Sequence, residues 1–149
     1  MAGHQKKRLA AAPGRIGRVS ALALALAAAL PAACGRTEFR LSGTVTIASA
    51  LQRKAPRDNA VMFIIARNHG GVPVAVQCIV NPQFPVKFTL KPEDLIMPEV
   101  PADTPLDIEV EMNTHGKLGQ PQRGDLGGRH PSPAYPGERR VHIVVDRQI

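Results

Sequence analysis

From residue 40 to residue 147 apolar and polar residues alternate with a period of two, segment after segment, and no stretch offers four turns of amphipathic helix. Strands must therefore build the body. Residues 40–48 (RLSGTVTIA) set Leu41, Val45 and Ile47 against Ser42, Thr44 and Thr46. Residues 60–67 (AVMFIIAR) are continuously apolar, the pattern of a strand covered on both faces. Asn68-His69-Gly70-Gly71 supplies a turn, residues 72–80 its hairpin partner, and Asn81-Pro82 a stop. Residues 84–90 alternate again, with Pro85 marking an edge or a strand start. Pro98 and Pro101 limit residues 94–100 to a helical turn or short crossover. The sharpest alternation is at residues 106–112 (LDIEVEM), which turn Leu106, Ile108, Val110 and Met112 inward and leave Asp107, Glu109 and Glu111 on a solvated acidic face. Residues 139–147 (RRVHIVVDR) close the set. At least six strands in roughly 110 residues predict an all-β, antiparallel two-sheet sandwich over residues 40–149.

The start of the chain belongs to a different class. Residues 1–20 are basic, residues 21–30 (ALALALAAAL) are apolar, and Pro31-Ala32-Ala33-Cys34 follows. Ten apolar residues are too few to cross a bilayer but match the hydrophobic part of an export signal, so residues 1–33 read as a signal peptide and 34–39 as a tether. Leu30-Pro31-Ala32-Ala33-Cys34 is similar to a lipoprotein box, with its aliphatic residue four positions before Cys34 rather than three. Cys34 is thus the expected lipidation site, and the mature protein is expected on a membrane facing the periplasm. Ordinary cleavage would leave it soluble there.

Charge follows the same division. The formal charge is +7, but Lys6, Lys7, Arg8, Arg15 and Arg18 all precede residue 19, and from Cys34 onward 14 basic residues face 12 acidic ones. A nearly neutral body with one Tyr, four Phe and no Trp offers little for base stacking, so no nucleic-acid partner is expected.

Motifs for catalysis are missing: the chain has no G-x-S-x-G, no H-E-x-x-H, no phosphate loop and no C-x-x-C. No enzyme and no cofactor is expected. Cys78 lies in an apolar run and reads as a small buried hydrophobe. His115, His130 and Met112 could furnish ligand types for copper or zinc, which makes a periplasmic metal-binding protein the alternative function. The segment 115–137 (HGKLGQPQRGDLGGRHPSPAYPG) is long for a connection and carries the sole tyrosine. As a binding loop it would offer Asp125, Leu126, Arg129 and Tyr135 to a partner. As an ordered crossover it would turn once at residues 124–127, bury Leu126 and use Asp125 in the turn.

An ordered set of short pieces carries a family resemblance: Gly43-Thr44-Val45, Asp58 before Val61-Met62-Phe63-Ile64-Ile65, Gly71-Val72-Pro73-Val74, Phe84-Pro85, Met97-Pro98, Gly124-Asp125-Leu126, Tyr135-Pro136-Gly137 and Val141-His142-Ile143-Val144-Val145. From about Leu41 to Ile149 the chain resembles the immunoglobulin-like C-terminal domain of cytochrome c-type biogenesis protein H. The resemblance implies an immunoglobulin-like sandwich of about seven strands, an exported location and a scaffold contact, with no catalytic residues to carry over. In that family the parent protein escorts unfolded apocytochrome c to the heme-ligation machinery by means of helical repeats, which this sequence lacks. The expected function is a non-enzymatic envelope binding module in c-type cytochrome maturation. Its expected partners are apocytochrome c or heme-ligation components, with the membrane reached through the N-terminal lipid.

Overall fold

The computed structural model describes residues 38–149. The signal segment and Cys34 lie outside the described residues. Every segment read as a strand forms one, and a further strand joins them: β1 (Leu41–Ile47), β2 (Val61–Arg67), β3 (Pro73–Val80), β4 (Val86–Leu90), β5 (Asp107–Asn113), β6 (Leu126–Arg129) and β7 (Val141–Gln148). A single 3-10 turn at Pro92–Asp94 is all the helix among them. The described residues are all-β with seven strands, in agreement with an immunoglobulin-like sandwich.

Hydrogen bonding runs through the strands in the order β3-β2-β5-β6-β7-β1-β4. This sheet folds over on itself, because the inward side chains of both halves meet in one core. Leu41 and Val45 of β1, Met62 and Ile64 of β2, Ile108 and Val110 of β5 and Ile143 and Val145 of β7 are all essentially inaccessible. Burial of this kind contributes roughly 1.5–3 kcal/mol for each large aliphatic side chain.

One pairing departs from the antiparallel expectation: β1 and β7 run parallel, Gly43 beside Val141 through Ile47 beside Val145. Parallel neighbours need a long connection, and the first and last strands are separated by the whole domain. The strands approach closely here. A Cβ on Gly43 would overlap the carbonyl of Val141.

The second departure is β6, four residues inside the segment read as a loop. Two of those four are glycines, so they leave no period-two signal, and the fold uses them for proximity. The ladder slips between Gly127 and Gly128 where β6 crosses to β7, and a Cβ on Gly128 would overlap the Val144 carbonyl.

Candidate functional site

Because β3 and β4 are the two ends of the sheet order, folding it over brings its two free edges face to face. No backbone hydrogen bond joins them. The direction of their backbone groups follows from register. Asn81 donates to Ala60 at 2.7 Å, and the pairing continues through Met62–Ile79 and Ile64–Gln77. In an antiparallel ladder alternate residues point to the same side, so Ile79 and Gln77 bond to β2 while Val76, Cys78 and Val80 present N–H and C=O outward. The Val74 carbonyl, on the same outward set, accepts from Ile96 at 2.9 Å. That contact covers the start of the β3 edge and leaves its second half open.

On the facing edge the Thr89 carbonyl points away from β1, and the Gln77 side chain reaches it. Gln77 Nε2 donates to Thr89 O at 3.1 Å. Gln77 Oε1 is shielded from water and has no partner. A buried acceptor left unpaired costs about 1–3 kcal/mol. Gln77, Cys78, Ile79, Lys87, Phe88, Thr89 and Lys91 line the resulting groove of about 340 Å³. Cys78, in the groove lining, is exposed, and Val80, at the end of β3, is 65% exposed. This corrects the expectation of a buried Cys78: the residue lies on an edge strand with its side chain facing away from the core.

The outer face of β5 also differs from its sequence reading. Glu109 and Glu111 are not simply solvated. Arg67 of β2 bonds Glu109 through Nε and lies 3.8 Å from Glu111, and Arg129 of β6 donates to Glu109 at 3.2 Å. Gly119 N donates to the other side of Glu111 at 3.1 Å. By register Arg67 and Glu109 flank Ile65, which is fully buried although it faces away from the core. The ion pairs act as a polar roof over an apolar strand. Arg67→Ala is therefore expected to lower stability by about 1–2 kcal/mol in urea unfolding, since it both uncovers Ile65 and leaves two carboxylates with less compensation. Arg129→Ala, at the exposed rim, is expected to cost under about 0.5 kcal/mol.

The residues singled out in segment 115–137 have separate fates. Leu126 is wholly buried, so it offers nothing to a partner and belongs to the core. Asp125 organises the turn before β6, accepting from Gln122 N at 2.7 Å and lying 3.0 Å from His115 Nε2. Arg129 serves the β5 network. Tyr135, 48% exposed, is presented to solvent. The segment thus contains β6, with Leu126 in the core, Asp125 in the turn before it and Tyr135 exposed after it.

His115, His130 and Met112 do not converge. His115 follows the end of β5, whereas His130 N bonds Ile108 O near its start and His130 Nδ1 lies 2.7 Å from His142 O. That separation is roughly 20 Å at strand rise. Met112 is buried in the core. Among the described residues no group of three or more His, Cys, Asp or Glu is placed to hold a metal ion.

Residues 41–146 match the family model described as the cytochrome c-type biogenesis protein H Ig-like domain. No curated protein and no solved structure matches the chain.

Proposed function

Since the chain belongs to the family of the cytochrome c-type biogenesis protein H Ig-like domain, we propose that it is a non-enzymatic envelope module that assists c-type cytochrome maturation by holding an extended protein segment. The observation that carries this reading is the open seam between β3 and β4. An extended segment is the shape that satisfies free strand edges, because its own N–H and C=O groups complete the ladder. Here it would also bring a donor to Gln77 Oε1, relieving the unpaired acceptor. An unfolded apocytochrome c segment, or an extended arm of a heme-ligation component, has this form.

In the same reading the mature chain is exported and held on the periplasmic face of a membrane by acyl chains on Cys34. Two or more chains give stable anchorage where one gives only reversible binding. Intact mass of the protein purified from membranes fixes both the cleavage point and the lipid.

The binding step is tested by placing a photo-crosslinking residue at position 78 of the full chain in living cells. Crosslinks to apocytochrome c or to heme-ligation components are expected, and a probe replacing Lys54, away from the seam, should give none. Capture at position 78 that lacks both classes of partner removes the maturation role.

A further inference from the structure

On the outer face formed by β4, β1 and β7, basic side chains gather at the end where β1 begins. Across these strands register lines up Lys87, Thr44 and His142 in one row and Thr89 beside Ser42 in the next. With Arg139 and Arg140 they border a shallow basin of about 460 Å³ that no carboxylate lines. Among the described residues Lys87, Arg139 and Arg140 have no acidic partner within salt-bridge distance, whereas Arg67 and Arg129 are engaged with Glu109, and Lys91 with Glu93. The opposite layer carries Asp107, Glu109 and Glu111. The basin itself is thus cationic and hydroxyl-rich, and Asp146, on the same outer face of β7, stands toward the far end of that strand.

Position gives the cationic side its meaning. The basin lies on the first residues of β1, at the point where the chain enters the domain. Gly137 N donates to Arg40 O at 2.6 Å and Ser42 N to Glu138 O at 2.9 Å, so the turn carrying Tyr135 is fastened to the same point. Cys34 lies only six residues before Arg40. Six residues reach about 20 Å at full extension. A domain tethered that closely has little freedom in which side it lays against the surface, and the sign of the charge decides among the sides within reach.

We propose that the β4-β1-β7 face around Lys87, Arg139 and Arg140 docks on anionic phospholipid headgroups, fixing the orientation of the anchored domain. The proposal rests on the reading of Cys34 as a membrane tether. Phosphate oxygens accept from the three cations and from the Ser42, Thr44 and Thr89 hydroxyls, and Tyr135 sits at headgroup depth as interfacial aromatics do. Each basic residue near an anionic surface favours it about fivefold, so three give a preference on the order of a hundredfold over a neutral bilayer.

The test uses the full chain, processed and purified from membranes, and reconstituted in vesicles of phosphatidylcholine alone or with phosphatidylglycerol. Amine acetylation is followed by mass spectrometry at Lys87 and at Lys54 and Lys117, which lie toward the other end of the strands. Phosphatidylglycerol should slow Lys87 labelling about fivefold or more and leave Lys54 and Lys117 unchanged, and high salt should restore it. Equal Lys87 labelling in both vesicles overturns the proposal, as does the same protection by inorganic phosphate without vesicles. Intact mass is read first: an unacylated Cys34 defeats the tether reading alone, and labelling of the soluble protein with added vesicles then decides the face.

Discussion

Gly128→Val is expected to cost about 3 kcal/mol or more and to lower Tm by on the order of 10 °C, enough to abolish accumulation of the folded domain if its stability is near the low end for domains of this size. The argument is geometric. A Cβ at position 128 overlaps the Val144 carbonyl oxygen and lies 2.7 Å from its carbon and 3.0 Å from the Val145 Cα. All three obstacles are main chain of β7, which is locked on its other side to β1. No rotamer change relieves them. The only relief is to move β6 from β7, which opens the ladder between the two halves of the sheet. Gly70→Ala is the matched control: its Cβ would meet only the Asn68 side-chain oxygen at 3.3 Å, in an exposed turn, so a change within about 1 kcal/mol is expected. Thermal unfolding followed by circular dichroism separates the two, and a Gly128→Val protein melting with the parent would show that β6 is not held as described.

The same glycine explains why β6 was hard to read from the sequence. Period-two patterning works where side chains alternate between core and solvent, and it located β1, β4, β5 and β7 nearly to their ends, whereas a continuously apolar run marked β2 and the turn after it marked β3. In β6 only Leu126 does so, and the two glycines after it are chosen for closeness of backbones, a pairwise property that one segment cannot display. The parallel contact of β1 with β7 was hidden for the same reason, since Gly43 is legible as a close approach only when Val141 is known to lie opposite.

The site was less legible than the fold, and the physical cause is different. Strand edges bind through backbone groups that every residue possesses, so nothing in the composition of Val76-Gln77-Cys78-Ile79-Val80 marks an edge. The Gly- and Pro-rich segment stands out by composition, yet most of that composition serves turns and Asp125 serves its own loop. One signal was available in retrospect. Gln77 is a polar residue at an inward position of an apolar strand, facing Ile64, and a buried amide requires partners. Likewise the acidic stripe of β5 gave its sign but not its use, because Arg67 stands 42 positions away from Glu109.

Cys78→Pro is expected to leave the domain folded and to weaken capture at the seam at least about tenfold. Proline removes one N–H and fills the space beside it. At position 79 that would delete a bond to β2 and damage the sheet. At position 78 the N–H already points away from β2, so the native ladder loses nothing, and an edge strand accepts proline on its free side. An incoming segment loses one backbone bond near the middle of the open half of β3 and meets the ring; a single bond of about 1.4 kcal/mol gives the tenfold factor. Crosslinking yield from a probe at Val80, with and without Cys78→Pro, measures the loss, and urea unfolding checks that stability has moved by less than about 1 kcal/mol. Cys78→Ser should crosslink as the parent does, which separates the backbone donor from the thiol. If Cys78→Pro does not fold, Thr89→Pro repeats the test from the facing edge, where the Thr89 backbone groups also point into the seam. A folded proline variant that captures partners undiminished means that they are held elsewhere on the domain, and strand addition at β3 is then excluded.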